Sequence, residues 1–351
     1  MKILITGNMG YVGPSVMCRL RKTYPDAEIV GLDSAFFAHC LTNAVVLPEF
    51  YLDKQIFMDV RDIPQKLLEG FDVVVSLAAI SNDIMGKIDE SLTLDVNCYA
   101  GLKLAQLAKN AGVNSFVFAS SCSVYGAGGE GAKTEQADIN PLTAYAKSKI
   151  QTENGLEPLA DKNFKVTCLR FATACGMSDR LRLDLVINDF VACALASKKI
   201  TVLSDGSPWR PLIHVKDMAL AIDWAIGREV SSGGPFLIVN TGSDTWNYQV
   251  KDLAQAVAKE ISGTDVDINL NAPPDKRSYQ VDFAYFKKLA PKHQPQVDLK
   301  TAVGELKEGL EAMRFSNGDF RDSEFMRIKV LTGHRDAGRL TQDLRWTTNK
   351  K

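Results

Sequence analysis

The sequence has few of the features that mark metal-binding, disulfide-bonded or nucleic-acid-binding proteins. Its 351 residues carry a formal net charge of −1, which predicts neither a basic surface for nucleic acid nor an acidic tail. The seven cysteines are scattered and never form a Cys-x-x-Cys pair, so we interpret them as small buried side chains. The four histidines are far apart and show no metal-ligand spacing.

Long apolar runs are also missing. No apolar stretch approaches the ~20 residues that a membrane-spanning helix needs, and the opening Met1–Ile5 run is too short for a signal peptide. We therefore expect a soluble protein of the cytoplasm. The chain is 46% hydrophobic, which provides a substantial core for one large or two ordinary domains.

The first clear pattern is a strand, a glycine turn and a helix at the N-terminus. Lys2–Thr6 has the apolar character of a central parallel strand, and a helical pattern begins near Gly13. Gly7, Gly10 and Gly13 allow a tight turn, close approach to a pyrophosphate and close helix packing, in that order. A second strand ends at Asp33, whose carboxylate suits an adenosine ribose and repels a 2′-phosphate. The pattern predicts NAD in preference to NADP.

Beyond residue 33 the hydrophobic pattern alternates between strands and helices. We predict strands at 56–62, 71–77, 115–119 and 165–171, and helices at 89–111 and 144–159. Alternation of this kind predicts a parallel, doubly wound sheet. The later chain is less regular, with predicted helices at 183–196, 217–226, 249–261, 283–289 and 299–315, strands at 200–203 and 236–239, loops at 204–210 and 273–274, and a polar tail.

We therefore predict an α/β protein of the Rossmann type with two domains. Residues 1–172, to which 211–242 return, form the NAD-binding domain around the doubly wound parallel sheet. Residues 173–210 and 243–351 form a smaller, mixed α/β domain that binds the substrate.

Tyr145 and Lys149 are the first candidates for catalysis. Residues four apart share one helix face, about 6 Å apart along the axis, so the ammonium can favour the phenolate. The ordinary pKa of tyrosine is about 10, and a base that works near 7 needs ~4 kcal/mol of help. The spacing alone is weak because it also occurs by chance on exposed helices. Its context strengthens it, since Ser121 leaves a strand at the sheet edge where ligands bind.

Together these motifs resemble the extended short-chain dehydrogenase/reductase family, in particular its nucleotide-sugar branch of epimerases and dehydratases, which includes proteins like UDP-glucose 4-epimerase. The resemblance spans nearly the whole chain. It rests on Thr6–Gly13, Asp33, Asp59–Val60, Leu77–Ala79, Asn97, Ser120–Gly126, Tyr145–Lys149, Arg210–Asp217 and Thr241–Gly242. It implies NAD as cofactor, a nucleotide-diphosphate sugar as substrate, and a homodimer.

The resemblance also implies roles for individual residues. Tyr145 is the general base, Lys149 lowers its pKa and binds ribose, and Ser121 orients the sugar oxygen. The cofactor contacts that it implies are Gly7, Met9, Gly10, Tyr11, Val12, Gly13, Asp33, Asp59, Val60, Leu77, Ala78, Ala79, Asn97, Ser120, Tyr145, Lys149 and Phe171. The substrate contacts that it implies are Ser81, Ser121, Cys122, Ser123, Tyr145, Thr173, Asn188, Arg210 and Arg277, with no metal.

Arg210 and Arg277 would hold the nucleotide diphosphate through bidentate hydrogen bonds. A solvated surface arginine is an equal alternative for Arg277.

Two departures from the family pattern bear on the reaction. Dehydratases of this branch carry Asp-Glu after the catalytic Ser/Thr, where this sequence has Cys122 and Ser123, so 4,6-dehydration is not expected. Thr173 stands where the family has an asparagine that contacts the substrate, which predicts an altered sugar pocket. The segment Arg180–Asp184, with Asn188, is a further candidate for that pocket.

The resemblance implies epimerisation through a transient 4-keto sugar, with hydride passed from C4 to bound NAD and back. Three alternatives remain. One is a net 4-dehydrogenase or 4-keto reductase, and one is a 3,5- or 5,6-directed reaction, such as a dehydration, in which Cys122 or Ser123 transfers a proton. The third is a regulatory NAD-binding protein without catalysis.

The family also implies a dimer that packs the 89–111 and Tyr145 helices. Leu92, Val96, Leu104 and Ile150 are candidates either for that face or for the core.

Overall fold

A seven-stranded parallel sheet forms the centre of the computed structural model, which describes residues 1–42, 44–81, 89–272 and 275–347. The strands are β1 (Lys2–Thr6), β2 (Glu28–Asp33), β3 (Lys54–Phe57), β4 (Val73–Ser76), β5 (Ser115–Ser121), β6 (Ala127–Lys133), β7 (Lys165–Phe171), β8 (Thr173–Cys175), β9 (Lys199–Val202), β10 (Trp209–His214), β11 (Phe236–Thr241), β12 (Asn247–Gln249), β13 (Asp265–Ile268) and β14 (Ser278–Val281). Their order in the large sheet is β11-β7-β5-β4-β1-β2-β3, which confirms the predicted Rossmann-type fold.

Ten α-helices connect and cover these strands within the described residues. They are α1 (Gly13–Thr23), α2 (Glu90–Leu94), α3 (Ala100–Asn110), α4 (Ala144–Leu156), α5 (Val186–Ser197), α6 (Val215–Gly227), α7 (Val250–Glu260), α8 (Ala284–Leu289), α9 (Leu299–Ala312) and α10 (Arg327–Asp336). A π-helical turn, Asp95–Tyr99, joins α2 to α3, so the predicted helix at 89–111 is nearly continuous. None of these helices is long and apolar enough to cross a membrane.

Local sequence explains where the helices nearest the sheet edge begin. Pro14 occupies the first turn of α1, where its missing N–H costs nothing. The Thr143 hydroxyl accepts a hydrogen bond from the Ala146 N–H at 3.2 Å and caps α4. Tyr145 therefore lies in the first turn of α4, directly beside the sheet edge.

Burial explains why the central strands were predictable. All seven residues of β7 are buried, because helices cover both faces of a parallel sheet. Two apolar clusters fill the space between the helices and the sheet.

Smaller sheets lie outside the large parallel sheet. Strands β8, β10 and β12 form one sheet, and β9 with β13 and β6 with β14 form two-stranded sheets. Trp209 and Arg210 belong to β10, so the prediction of a loop through 210 is wrong for these two residues. The predicted strand at 56–62 is shorter and starts earlier, because Asp59 caps a 3₁₀ turn. The predicted loop at 273–274 lies outside the described residues.

The prediction of a polar tail is also wrong. Helix α10 and the residues after it bury Ile328, Leu331, Leu340 and Leu344 against Ile80 and Leu92. The sequence pattern did not predict this contact, because these apolar residues are separated by charged residues. The charged residues lie on the outer side of the segment.

Candidate active site

A cavity of about 590 Å³ runs along the carboxyl ends of the central strands. Its walls include Gly7 after β1, Asp33 at the end of β2, Leu77 after β4, Ser121 at the end of β5 and Phe171 at the end of β7. This is the edge at which doubly wound sheets bind ligands.

The glycine turn forms a cradle that no larger residue would fit. Gly7 has φ of +76°, and a Cβ there would lie 2.5 Å from the Ala78 nitrogen. A Cβ on Gly13 would lie 1.8 Å from the Asn8 carbonyl oxygen, so α1 packs tightly beneath the turn. Backbone N–H groups at the start of α1 thus approach the cavity closely, as the phosphates of a dinucleotide require.

Asp33 is held in place at the adenosine end of the cradle. Its carboxylate accepts hydrogen bonds from the Met9 N–H at 3.0 Å and the Ala35 N–H at 2.7 Å. Burial raises the pKa of Asp33, while those two N–H groups lower it. Asp33 lines the cavity, so its oxygens are positioned to accept hydrogen bonds from ribose hydroxyls.

Asp59 and Val60 also line the cavity, beside an arginine that the sequence analysis missed. Arg61 is buried, and its Nη2 lies 2.6 Å from the Asp59 Oδ2. Although burial raises the pKa of Asp59, hydrogen bonds from Arg61 hold it below its usual range. The sequence signal that could have found Arg61 was its position two residues after Asp59, which follows β3.

Tyr145, Lys149 and Ser121 face the same cavity. The Lys149 Nζ lies 5.3 Å from the centroid of the Tyr145 ring and donates to the Ala119 carbonyl oxygen at 2.7 Å. Burial lowers the pKa of Lys149 to about 8. The Ser121 Oγ accepts from the Ser123 N–H at 3.1 Å, so its own hydrogen is available to a ligand. A phenol, a nearby cation and a hydroxyl donor are the components of a general base site.

A buried ionic network lies one helical turn beyond Lys149, and the sequence analysis missed it. The Ser120 Oγ donates to the Glu153 Oε1 at 2.5 Å, and the Arg170 Nη2 lies 2.7 Å from the Glu153 Oε2. Glu153 is only 1% exposed and follows Lys149 by one helical turn. The i, i+4 spacing from Lys149 was the signal that could have found it.

Several predicted site residues lie behind the cavity wall. Asn97 and Asn188 are almost fully buried. The Asn97 amide bonds the backbone N–H and C=O of Ile80, at 2.7 and 3.0 Å. The Asn188 amide bonds the Tyr11 hydroxyl and the Gly176 N–H, both at 3.0 Å. Both asparagines therefore position loops that line the cavity.

Cys122 likewise points away from the cavity. Its Sγ donates to the Arg170 carbonyl oxygen at 3.0 Å, and burial raises the pKa of the thiol. Met9 and Gly13 also lie outside the cavity lining: the Met9 N–H donates to the Asp33 carboxylate, and the Gly13 backbone packs against Asn8.

The remaining predicted residues surround the cavity. The cofactor-side members are Gly10, Tyr11, Val12, Leu77, Ala78, Ala79, Ser120 and Phe171, and the substrate-side members are Ser81, Ser123, Thr173, Arg210 and Arg277.

Arg210 and Arg277 converge on one carboxylate. Their Nη2 atoms lie 3.0 and 2.7 Å from the Asp275 Oδ2. The Arg277 side chain is 46% exposed, so it is partly solvated although it lines the cavity.

Arg182 is a wall residue that the sequence analysis placed only within the segment 180–184. Its Nη1 donates to the Ser81 Oγ at 2.8 Å, and Asp184 fixes it through contacts of 2.8 and 3.0 Å. It lies close enough to Tyr145 to interact electrostatically. Arg182 therefore brings a fixed cation to the catalytic end of the cavity.

The amino-acid sequence matches a known family of proteins. The model of the NAD dependent epimerase/dehydratase family matches residues 3–242, which is more than half of the chain.

Two curated relatives are named as enzymes that act on UDP-sugars. The chain is 28% identical over 245 residues to an uncharacterized UDP-glucose epimerase of Bacillus subtilis, covering 65% of this chain and 73% of that protein. It is 25% identical over 318 residues to UDP-glucuronic acid decarboxylase 6 of Arabidopsis thaliana, covering 88% of each.

Solved structures share the fold. A UDP-glucose-4-epimerase from Stenotrophomonas maltophila with bound NAD has a TM-score of 0.77 at 22% identity, covering 90% of this chain and 99% of that one. A UDP-glucuronic acid 4-epimerase from Bacillus cereus in complex with UDP-glucuronic acid and NAD has a TM-score of 0.73 at 22% identity, covering 89% and 100%.

Proposed function

The chain belongs to the NAD-dependent epimerase/dehydratase family and NAD is its cofactor, and we propose that it epimerises a nucleotide-diphosphate sugar at C4. One observation carries the proposal. Tyr145, Lys149 and Ser121 share a cavity with the glycine cradle, whereas no acid group occupies the two positions after Ser121.

The chain's own residues supply proton transfer and orientation. Tyr145 as phenolate takes the proton of the sugar O4 hydroxyl, and protonated Lys149 stabilises that phenolate. The Ser121 hydroxyl donates to the sugar oxygen as its charge changes. When bound, NAD supplies a reversible two-electron acceptor for C4. After the 4-keto sugar has rotated in the cavity, the hydride returns to the opposite face of C4 and Tyr145 returns the proton to O4, which gives the epimer.

Arg210 and Arg277 are proposed to bind the diphosphate of the substrate. Both line the cavity and already hold a carboxylate, Asp275, between them. Guanidinium groups match the geometry of phosphate oxygens, and a substrate diphosphate would compete for the same two cations.

Dehydration is disfavoured by the environment of Cys122. A thiol with a raised pKa that donates to the Arg170 carbonyl has no proton to exchange with a ligand in the cavity. Ser123 lines the cavity, but a hydroxyl is a weak acid and a weak base near neutral pH.

We also propose that the protein works as a cytoplasmic homodimer. Leu92, Leu104 and Ile150 are buried within the single chain, which assigns them to its core. The 60% exposed Tyr99 on the same helical stretch is a better candidate for the dimer face. Light scattering on the purified protein gives the mass that tests this.

A panel of UDP-, GDP-, TDP- and CDP-sugars, incubated without added cofactor, tests the reaction. We expect an epimer, identified by NMR, with no net change in absorbance near 340 nm. A net dehydrogenase or 4-keto reductase would instead turn over only with added NAD or NADH, and a regulatory protein would turn over nothing. Either result would contradict the proposal.

A further inference from the structure

The C-terminal segment, residues 316–347, forms part of the cavity wall. Arg327, Leu331 and Leu344 of this segment line the cavity together with Phe36 and Phe37 from the loop after β2. The segment lies outside residues 3–242, so the family match assigns no role to it.

Polar contacts fix the C-terminal segment over the adenosine end of the cavity. The Trp346 Nε1 donates to the Ser34 carbonyl oxygen at 2.5 Å, one residue after Asp33. The Arg61 Nη2 donates to the Leu344 carbonyl oxygen at 3.2 Å, and Arg345 forms an ion pair with Asp62. The segment therefore joins the two loops that carry Asp33 and Asp59.

Arg327 is a buried cation with unused hydrogen-bonding capacity. Its side chain lies over the Phe37 ring, 4.6 Å from the centroid, and the residue is 4% exposed. Its Nη2 donates to the Arg180 carbonyl oxygen at 2.7 Å. Its Nη1 is buried without a hydrogen-bond partner anywhere in the described part of the chain. A buried donor left in this state costs free energy unless a ligand accepts from it.

The charges around Arg327 indicate that this ligand is an anion. Arg180 pairs with Glu49 at 2.8 Å, and Arg182 pairs with Asp184 at 2.8 Å. Among the described residues, no ion pair joins Arg327 to a carboxylate. Burial and then Arg182 lower the pKa of Arg327 to about 10, while Cys40 and Asp184 raise it, so nearby acid groups compensate the guanidinium only in part.

We propose that Arg327 binds a diphosphate in the cavity, namely that of NAD, and that the C-terminal segment thereby retains the dinucleotide. The inference rests on NAD as cofactor and does not depend on C4 epimerisation. The diphosphate of the substrate is the other source of this chemistry. NAD is favoured because Arg327 lines the same part of the cavity wall as Phe37, which lies four residues beyond Asp33. Arg210 and Arg277 line the cavity from other elements.

The test compares Arg327→Met with Lys329→Met. Both remove one cation from α10, but Lys329 is exposed and faces away from the cavity. The measurements are NAD content per chain after repeated buffer exchange, and the shift in Tm on adding NAD, ADP-ribose or UDP. We expect Arg327→Met to lose NAD about 10- to 100-fold faster, with smaller Tm shifts for NAD and ADP-ribose and an unchanged shift for UDP. Lys329→Met should match the unmodified protein.

Wild-type NAD retention in Arg327→Met would overturn the proposal. Loss of the UDP shift alone would overturn the assignment to NAD and place the substrate diphosphate at Arg327. If Arg327→Met does not fold, Arg327→Lys decides, because it keeps the charge and loses the two-pronged geometry. Faster NAD loss in that variant supports the proposal, and unchanged retention contradicts it.

Discussion

At the scale of single residues, we propose that the protonation state of Lys149 controls the pKa of Tyr145. The Lys149 ammonium is 3% exposed and lies against both the Tyr145 ring and the Ala119 carbonyl oxygen. Burial lowers its pKa to about 8, and Glu153 raises it. Because a nearby cation favours the phenolate, the proposal requires Lys149 in its protonated form.

The pH dependence of the reaction tests this role. Lys149 is cationic below pH about 8 and neutral above it, so kcat/KM should fall as the pH rises through that value. Lys149→Met should lower kcat about 10²- to 10⁴-fold and abolish this fall of kcat/KM at high pH, which we call the basic limb. Lys147→Met, which removes an exposed cation from the same helix, should keep both rate and limb. A basic limb that persists in Lys149→Met would contradict the assignment.

Motif positions could be predicted from the sequence, but the direction of each side chain could not. Ser121, Tyr145 and Lys149 share the cavity as predicted, because strand ends and helix faces follow from hydrophobic periodicity. Asn97 and Asn188 lie behind the wall, since their amides satisfy buried backbone groups. That need depends on loop conformations that no sequence pattern revealed.

At the scale of elements, the glycine turn sets how closely β1, α1 and the loop after β4 can meet. A Cβ on Gly7 would lie 2.5 Å from the Ala78 nitrogen and 2.8 Å from the Leu77 carbonyl carbon, so there is no room for a side chain. The close approach is therefore a condition both for the fold and for the cofactor site.

Gly7→Ala and Gly70→Ala separate backbone strain from this close contact. Both glycines have positive φ, +76° and +79°, but a Cβ on Gly70 meets nothing within 4 Å. Gly70→Ala should cost about 1–2 kcal/mol of unfolding free energy from strain alone. Gly7→Ala should cost more in urea unfolding and should lose bound NAD. Equal costs with NAD retained would show that the contact with Ala78 is unimportant.

Helix α4 and strands β5 and β7 are tied together beneath Lys149 by Glu153. Arg170 of β7 and Ser120 of β5 both bond its carboxylate. Removing one member of a buried ion pair leaves the other charge uncompensated, which is costly.

Glu153→Gln should therefore lower the unfolding free energy by about 3 kcal/mol. It should also move the basic limb of kcat/KM to lower pH, because Glu153 raises the pKa of Lys149. Glu157→Gln, an exposed change one turn later, is the control for both measurements. A limb that stays in place would contradict the coupling of Glu153 to Lys149.

Helices and strands could be predicted from the sequence where burial of one face gives their residues a regular hydrophobic period. The central strands of the large sheet, such as β4 with the sequence VVVS, are mostly apolar and buried, whereas β6, which pairs with β14, has the sequence AGGEGAK. The C-terminal segment was missed because Ile328, Leu331, Leu340 and Leu344 pack on tertiary partners distant in sequence.

At the scale of the whole molecule, one cavity connects the glycine turn, the Tyr145–Lys149 face of α4 with Ser121, and the Arg210–Arg277 pair. The C-terminal segment adds a wall at the adenosine end, where Trp346 and Arg345 join it to the loops after β2 and β3. A dinucleotide retained under such a wall suits an enzyme that oxidises and then reduces the same substrate.

Tyr145→Phe tests the central claim most directly, with Tyr99→Phe as a control that removes a hydroxyl outside the cavity and keeps the aromatic ring proposed for the dimer face. The measurement is epimer formation by NMR together with NAD content per chain. Epimer formation by Tyr145→Phe should fall at least about 10²-fold with NAD content unchanged, because only the proton acceptor has been removed. Tyr99→Phe should match the unmodified protein. Full activity in Tyr145→Phe would contradict the account.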